Sequence, residues 1–283
     1  MSLTYTKIKK HPTTFKRLFG VSVEEFERIL KAVDPQWEKK VIKKYKRPGR
    51  NYKLDLASQI LVLLLYYRSY ISQEFVGYLF GIDRSRVCRN IKKLEPILAQ
   101  VIAITKTRHL SQKEVEEIII DATEQPIERP KKGQKAFYSG KKKRHTNKTE
   151  IRLIPGGKKG KARIVHVSKT RPGATHDFAV YKGELPIPKD TRAFGDSGYQ
   201  GLDKLHAQTE IPFKDSKENP LNCEDKAYNH ALSRFRVQVE HIIGQLKTFK
   251  ILSERYRNKN KRYNLKFNII AGIVNLKNGF ATI

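Results

Sequence analysis

The chain has little cysteine and no long uninterrupted apolar run. Its two cysteines, Cys88 and Cys223, lie far apart and outside any metal-ligand spacing, which excludes a disulfide framework and a zinc knuckle. The first residues lack the apolar core of a signal peptide. The longest apolar run, near 54–67, is interrupted by polar residues and is too short to span a bilayer. We therefore expect a protein of the reducing cytoplasm that has no membrane contact.

Acidic residues are also scarce relative to basic ones. The 283 residues include 58 Lys and Arg against 28 Asp and Glu, which gives a formal net charge of +30. Such an excess repels itself in a compact state unless a polyanion neutralises it, so nucleic acid is the leading partner. From charge alone, a ribosomal protein or a membrane-surface protein remains an alternative.

The pattern of apolar residues changes near residue 110. Before it, helical spacing predicts an all-α domain over 1–110, with its main helices at 54–68, 73–80 and 84–99. After it, in residues 111–283, segments with the apolar pattern of strands alternate with segments that have the pattern of helices. Strands are predicted at 115–120, 150–154, 162–168 and 191–195, and helices at 176–182, 201–208, 226–250 and 265–276. This order predicts an α/β domain with a mixed central sheet covered by helices.

Two of these helices, within about 72–94, have the spacing of a helix-turn-helix. Ser72 and Asp83 are expected to cap the two helices, and Gly81 to form the turn. The second helix should bury Val87, Ile91 and Leu94 and present Arg84, Ser85, Arg86, Arg89 and Asn90 outward. Arg and Asn are side chains that recognise base edges in the major groove. An ordinary helical hairpin with a solvated basic face is the alternative, which the net charge disfavours.

Two aspartates follow apolar strands, where carboxylates are unexpected in so basic a chain. Asp121 comes directly after Ile118–Ile120 and is expected at or near the end of a buried strand, and Asp196 follows the strand at 191–195. Two-metal phosphodiester chemistry needs such oxygen ligands, gathered from distant parts of the chain. Taken singly, Asp121 could cap a turn and Asp196 could form an Asx-turn.

A third acid, Glu240, lies inside the long predicted helix. Arg236, Glu240, Gly244 and Lys247 recur at intervals of four, four and three, so they share one stripe of that helix. A helical glycine suggests close approach by another backbone or by DNA. An acid between two cations suits a metal beside phosphates, although Arg236 and Glu240 could also form a plain surface ion pair.

Together these segments resemble the three DDE blocks of bacterial insertion-sequence transposases. The blocks are Asp121-Ala-Thr-Glu, then Asp196-Ser-Gly-Tyr-Gln-Gly, then Arg236, Glu240 and Lys247 at their spacing. The likeness covers about 115–280 and is greatest to insertion-sequence families four and five, with the Harbinger nucleases more distant. The family-four signature has Tyr where this chain has Ser233, which favours the family-five type.

The resemblance implies a ribonuclease-H-like catalytic domain. It implies that Asp121, Asp196 and Glu240 hold two Mg²⁺ ions, for which Mn²⁺ can substitute, and that Arg236 and Lys247 grip phosphates. The enzyme would cleave element ends and join their 3'-hydroxyls to target DNA. Its expected partners are terminal inverted repeats, target DNA and a second copy of the chain, in the bacterial nucleoid. A nuclease without strand transfer and a regulator or domesticated transposase that only binds DNA remain alternatives.

Two further acids near these blocks are ambiguous. Glu124 could assist the site, but solvent or a lysine partner is the favoured explanation of its position. Asp177 could be a fourth acid near the metals. The favoured interpretation of that segment is a helix opened by His176 and Asp177, with Thr175 as its cap.

Overall fold

The computed structural model describes residues 2–43, 52–104, 115–157, 160–258 and 262–280. They fall into two compact units. Unit 1 consists of Met1–Ala103, Leu246–Glu254 and Asn260–Ile283, and unit 2 of Ile104–Gln245 and Arg255–Lys259. The predicted boundary at residue 110 lies outside the described residues. The two C-terminal segments of unit 1 differ from the sequence-based division, which assigns them to the catalytic domain.

The helices and strands alternate along the chain much as the periodicities predict. The α-helices are α1 (Tyr5–Ile8), α2 (Pro12–Phe19), α3 (Val23–Trp37), α4 (Leu56–Ser69), α5 (Gln73–Phe80), α6 (Arg84–Ile102), α7 (Gln134–Phe137), α8 (Asp177–Lys182), α9 (Cys223–Lys247) and α10 (Tyr263–Lys277). The strands are β1 (Glu117–Pro126), β2 (Tyr138–Ser139), β3 (Arg144–Ile154), β4 (Arg163–Val167), β5 (Arg171–Pro172), β6 (Arg192–Phe194) and β7 (Thr209–Glu210).

Helix α4 forms the centre of unit 1. It begins at Asp55, whose carboxylate accepts the amide N–H of Ser58, and it ends at Tyr70 in a left-handed conformation. Its residues from Ile60 to Leu65 are all buried, so the helix is apolar on every side, as expected for a core helix. Burial of this apolar surface stabilises the unit.

The C-terminal helix α10 is packed against α6 within unit 1. Any side chain at Gly272 would overlap the carbonyl oxygen of Ile102, so only glycine allows the two backbones to come this close. The fully buried Glu95 of α6 is paired with Lys266, 2.9 Å from its Oε1, and with Arg262, 3.4 Å from its Oε2. The hydroxyl of Tyr67 donates a hydrogen bond to the same carboxylate at 2.9 Å. These contacts explain why α10 belongs to the helical unit.

A mixed seven-stranded sheet forms the framework of unit 2, as the sequence predicts. The strand order is β2-β3-β1-β6-β7, and β4 and β5 also pair with β3. Strand β1 is antiparallel to β3 and parallel to β6, and β6 is parallel to β7. Ile118 and Ile120 of β1 pack with Tyr199 and Leu202 in one buried cluster. The sheet therefore carries the segments on which the acidic residues lie.

Two local expectations are wrong. Strand β1 continues five residues beyond Asp121, because Asp121 to Pro126 pair with β3 without interruption. The helix predicted over 201–208 is a series of turns. Gly201 has φ +90 there, a left-handed conformation that breaks a right-handed helix, and the buried imidazole of His206 instead makes a 2.6 Å hydrogen bond with the carbonyl of Thr191.

Candidate active site and DNA-binding helices

Asp121 lies on β1, and Asp196 lies two residues after the end of the neighbouring parallel strand β6. Ile119 of β1 is in register with Phe194 of β6, and each is followed two residues later by an aspartate. Asp196 also opens a short 3₁₀ turn, where its Oδ1 accepts the amide N–H of Gly198 at 2.9 Å. The Asx-type turn, which the sequence offers as an alternative role for Asp196, therefore does form, and Asp196 remains a candidate site residue. The parallel register brings the two carboxylates to the same end of the sheet.

The carboxyl group of Asp121 is mostly buried, and its ionisation is perturbed. Its pKa is raised to about 6, chiefly by burial, and the nearby guanidinium of Arg236 acts in the opposite direction. The negative charges of Asp196 and Asp177 raise the pKa further, and a hydrogen bond from the amide of Ala122 lowers it. A carboxyl group whose pKa is raised by burial and by neighbouring carboxylates is typical of a functional centre.

Asp177 is the acid whose position the sequence analysis undervalued. Helix α8 has His176 at its N-cap without a side-chain capping bond, so the expected cap at Thr175 is wrong. A methyl group placed on Gly198 would lie 2.5 Å from Oδ2 of Asp177 and 2.9 Å from Oδ1 of Asp196. The two carboxylates therefore approach the same glycine from two elements. Nothing in the local sequence indicates this proximity, because it depends on how α8 packs against the sheet.

Glu124 and Lys148 form a second charged layer beside these acids. The Lys148 ammonium is 2.8 Å from Oδ1 of Asp177 and 3.6 Å from Oε1 of Glu124. The expected lysine partner of Glu124 is thus confirmed. Its other oxygen accepts a hydrogen bond from the hydroxyl of Thr146 at 2.7 Å.

Helix α9 lies against the sheet near Asp121. The ring of Phe235 packs on Phe194 at 4.5 Å between centroids, and Oε1 of Gln238 accepts the amide N–H of Gly156. Nη2 of Arg236 is 3.9 Å from Oδ1 of Asp121. Arg236 therefore turns toward the aspartate on β1, and the alternative of a plain surface pair with Glu240 is not what the structure shows.

Glu240 is the predicted ligand that the structure does not gather. It is exposed on α9, one helical turn beyond Arg236. Across the described ranges, no group of three His, Cys, Asp or Glu side chains is close enough to hold a metal ion. The negative charge of Asp196 raises the pKa of Asp121, and a hard divalent cation held by carboxylate oxygens would relieve such a repulsion.

The remaining stripe residues of α9 differ in exposure. Lys247 is half-buried. Around Gly244, no atom of the described residues would lie within 4 Å of an added methyl group. Among the described residues, no other backbone approaches Gly244, which leaves DNA as the approach that a helical glycine here suggests.

The helix-turn-helix has the predicted geometry. The hydroxyl of Ser72 accepts the amide N–H of Phe75, the carboxylate of Asp83 accepts that of Arg86, and Gly81 has φ +65. Gly77 is a further requirement that the sequence analysis missed. A methyl group on it would lie 2.5 Å from the carbonyl oxygen of Ile82, so glycine allows the turn to fold back on the first helix.

The outward face of α6 carries most of the predicted DNA-binding residues. Arg84, Ser85, Arg86 and Arg89 are exposed, whereas Val87, Ile91 and Leu94 are buried. Asn90 is a correction, because it is 8% exposed and its Nδ2 donates a 2.8 Å hydrogen bond to the carbonyl of Gln59. It lies three residues after Val87 and four before Leu94, on the buried stripe of the helix.

A cavity of about 640 Å³ opens beside this face. The cavity is lined by polar, apolar and cationic side chains. The four cationic residues are Lys53, Arg86, Arg89 and Lys93. The ammonium of Lys93 is 2.8 Å from the hydroxyl of Tyr52. The concentration of positive charge beside exposed arginines is the arrangement that contacts with DNA phosphates require.

Two family models match the chain in the places that the geometry indicates. The model "DDE superfamily endonuclease" matches residues 120–275, which include Asp121, Asp196 and Glu240. The model "Helix-turn-helix of DDE superfamily endonuclease" matches residues 52–103. The chain belongs to the DDE superfamily of endonucleases. The DDE domain is ribonuclease-H-like, in agreement with the observed mixed sheet.

Individual relatives of this DDE endonuclease are transposases by description. A protein of Microchaete diplosiphon, described as "Probable transposase for insertion sequence element IS702", is 37% identical over 92% of this chain and 93% of its own length. A protein of Streptomyces albus G, described as a transposase for insertion sequence element IS112, is 22% identical over 86% of this chain and 87% of its own length. The predicted resemblance to DDE-type insertion-sequence transposases is confirmed.

Membership of this superfamily supports an enzyme that acts as a nuclease and binds DNA, and DDE endonucleases typically use divalent metal ions. Within the described part of the DDE endonuclease, no helix has the length and apolar character needed to cross a membrane.

Proposed function

We propose that this chain is the transposase of an insertion element, which cleaves the element ends and joins their 3'-hydroxyls to target DNA. Asp121, Asp196 and Glu240 are its proposed catalytic acids. The observation that carries the proposal is the register of β1 and β6, which aligns Asp121 with Asp196. A pair of converging carboxylates in a chain of net charge +30 has an obvious use in holding cations beside phosphate.

In the DNA-bound enzyme, Glu240 is proposed to join Asp121 and Asp196 as the third metal ligand. Arg236 contacts Asp121, and Glu240 follows four residues later on the same side of α9. Four residues correspond to about 6 Å along a helix axis. The exposed side chain of Glu240 would move toward the two aspartates when cations and DNA reduce the repulsion among the three carboxylates.

Asp121, Asp196 and Glu240 would hold two Mg²⁺ ions, for which Mn²⁺ substitutes. Bound in this way, the ions would activate water or a 3'-hydroxyl and neutralise charge on the leaving oxygen. The chain's own residues orient the participants. Arg236 holds the Asp121 carboxylate toward the site, and the amide of Gly198 fixes one oxygen of Asp196. Lys247 is proposed to grip a flanking phosphate from the same helix.

The helix-turn-helix is proposed to recognise the terminal repeats. Arg84, Ser85, Arg86 and Arg89 occupy the N-terminal part of α6, which enters the major groove in proteins of this type. Their side chains are exposed and free of a covering element in the described structure. Arginine pairs bidentately with guanine, which makes Arg86 and Arg89 the best candidates for base contacts.

We further propose that two copies of the chain act together on the DNA. Transposition cuts and joins two element ends, and each copy carries one candidate active site. Light scattering after gel filtration tests this directly. With DNA of one element end bound, a mass of two chains is expected, and a single chain per DNA would contradict it.

The central test separates binding from chemistry. Asp196→Asn and Glu240→Gln should abolish Mg²⁺-dependent cleavage of duplex DNA taken from the sequence flanking the gene, and both should still bind that DNA. Asp203→Asn is the matched control, because Asp203 is an exposed acid outside the site. Undiminished cleavage by Asp196→Asn would refute the assignment. Cleavage without joining would identify a nuclease, and binding without cleavage in the wild type would identify a regulator.

A further inference from the structure

A buried lysine lies beside the candidate active site without belonging to any of the three DDE blocks. Lys148 is on β3, directly opposite Glu124 of β1, and only 10% of its side chain is exposed. Burying an ammonium group is costly unless carboxylates compensate it. The partners of Lys148 are two acids, Asp177 at 2.8 Å and Glu124 at 3.6 Å.

One of those partners, Glu124, is itself fixed. Its Oε2 accepts the hydroxyl of Thr146 at 2.7 Å, and its side chain is 9% exposed. Both Glu124 and Lys148 stand on the paired strands β1 and β3, where the backbone is held by the ladder. The backbone of Lys148 is therefore held in place by the sheet, and its ammonium group extends to Asp177 on the short helix α8.

The other partner, Asp177, reaches the proposed catalytic acids. Its Oδ2 and Oδ1 of Asp196 both crowd the Cα of Gly198, where an added methyl group would overlap them. The charge of Asp177 also contributes to the raised pKa of Asp121. Asp177 thus stands next to both acids, and the contact with Lys148 determines where its carboxylate lies.

We propose that Lys148 is a positioning residue of the active site, and that it acts through Asp177. Lys148 holds the Asp177 carboxylate against Asp196 across Gly198, so that Asp196 stays directed toward Asp121. Its charge also offsets part of the repulsion among the acids. This inference rests on the proposed nuclease function and adds Asp177 and Lys148 to its machinery.

The experiment compares Lys148→Met with Lys148→Arg, Asp177→Asn and the double variant Lys148→Met/Asp177→Asn. Cleavage of the flanking-sequence duplex is measured against Mn²⁺ concentration, and the Mn²⁺-induced rise in Tm is measured without DNA. Loss of a group that orients metal ligands typically costs 10–100-fold in metal affinity or activity. We expect Lys148→Met to raise the half-saturating Mn²⁺ concentration about tenfold and to reduce the Mn²⁺-induced rise in Tm. Lys148→Arg should recover part of both.

Two comparisons show whether Lys148 acts through Asp177. The double variant should cleave no more slowly than Asp177→Asn alone, because the lysine has no further effect once its partner carboxylate is gone. Lys148→Met leaves both Asp177 and Glu124 without their cation, whereas the double variant leaves only Glu124, which keeps the hydrogen bond from Thr146. The double variant should therefore fold even where Lys148→Met does not. Lys141→Met, at an exposed lysine before β3, is the matched control and should behave as wild type.

A third comparison uses the glycine between the two carboxylates. Gly198→Ala should weaken Mn²⁺ binding as Lys148→Met does, because its methyl group separates Asp177 from Asp196. Gly140→Ala, at a glycine with open surroundings and no proposed role, should not.

The inference fails if Lys148→Met lowers Tm but leaves the Mn²⁺ dependence unchanged, since the lysine would then be only structural. Additive losses in the double variant would also overturn it, and would indicate that Lys148 contacts DNA itself. Failure of the proposed function looks different, because Asp196→Asn would then still cleave.

Discussion

Arg236 of α9 places its Nη2 atom 3.9 Å from Oδ1 of Asp121 on β1. The contact joins the helix that carries Glu240 to the strand that carries the first aspartate. Both side chains are mostly buried, at 16% and 19% exposure, so solvent screens their attraction less than it does at a surface. Arg236 therefore links α9 to β1 beside the candidate active site.

Removing this guanidinium should move the pH dependence of cleavage. Burial raises the pKa of Asp121 and Arg236 lowers it, with a net value of about 6. Without Arg236 the pKa should rise, so the ionised form that binds cations appears only at higher pH. In Arg236→Met the acidic limb of the pH–rate profile should shift upward, by about one pH unit. Arg234→Met, at an exposed arginine of the same helix, is the control, and an unshifted limb in Arg236→Met would contradict the prediction.

Asp121→Asn should stabilise the fold near neutral pH while abolishing cleavage. The pKa of Asp121 is about 6 in the folded state, against 3.8 for an unperturbed aspartate. Folding therefore favours its protonated form, and the group lowers stability progressively as pH rises from about 4 to about 6. Each pKa unit corresponds to about 1.4 kcal/mol, so the shift from 3.8 to about 6 predicts a gain of about 3 kcal/mol in the free energy of unfolding of the variant at pH 7.5.

Urea denaturation at pH 4 and pH 7.5 measures this effect. At pH 4 wild type and Asp121→Asn should be nearly equal in stability, because Asp121 is largely protonated in the folded state. A variant less stable than wild type at pH 7.5 would show that the ion pair with Arg236 outweighs burial.

Arg86→Ala and Asn90→Ala should have distinct effects, although both residues lie on α6. Arg86 is exposed, so its loss should reduce discrimination between element-end and random duplexes by about 1–3 kcal/mol if it contacts a base bidentately. Asn90 is buried and donates to the carbonyl of Gln59, so its loss should lower stability by about 1–2 kcal/mol.

Competition binding and thermal unfolding separate the two. The folded Asn90→Ala protein should keep its preference for element-end DNA. Equal loss of affinity for both DNAs in Arg86→Ala would make that arginine a phosphate contact, and a lost preference in Asn90→Ala would mean that the helix itself had shifted.

Lys247→Ala should weaken DNA binding through charge. Lys247 is seven residues beyond Glu240, about 10 Å along the helix axis, which is too far for an ordinary i,i+4 pair with it. If it neutralises one phosphate, its removal should flatten the salt dependence of binding by about one unit of slope and weaken strand transfer. Lys250→Ala, an exposed neighbour, is the comparison. A Lys247→Ala variant that unfolds, or that keeps the wild-type slope and transposes normally, would show a scaffolding role.

Lys266→Ala should destabilise unit 1. It removes the ammonium 2.9 Å from the fully buried Glu95 carboxylate and leaves only the half-exposed Arg262 as a cationic partner. Breaking a buried ion pair on one side costs about 3–5 kcal/mol. Thermal unfolding should show a clearly lower Tm, whereas Lys31→Ala at an exposed position should not. An equal Tm for both variants would mean that Arg262 and Tyr67 satisfy Glu95 alone.

Local signals made the helix-turn-helix predictable. Ser72, Gly81 and Asp83 determine where α5 and α6 end and begin, and each acts within a few residues of itself. Asn90 was misplaced because its residue type suggested a base contact, although its spacing from Val87 puts it on the buried face. Gly201 likewise overrides the apolar spacing that predicts a helix after it.

Sequence patterns identify only some of the charged residues of the candidate site. Asp121 and Asp196 could be singled out because each follows a short apolar run in the sequence, and the parallel pairing of β1 with β6 then brings them to one end of the sheet. Asp177 and Lys148 could not be placed in the same way. Their meeting depends on the packing of α8 on the sheet and on the absence of a side chain at Gly198, neither of which has a local pattern.

The packing of α10 against α6 has a consequence for decayed gene copies. A copy that has lost its last few dozen codons would still encode the whole helix-turn-helix, yet Glu95 would be left buried without Lys266 and Arg262. The surface of α6 near Ile102, against which Gly272 of α10 packs, would be exposed to solvent. Such a fragment would unfold and be degraded before it could occupy the element ends. Truncated copies of the gene would therefore supply no competitor to an intact one.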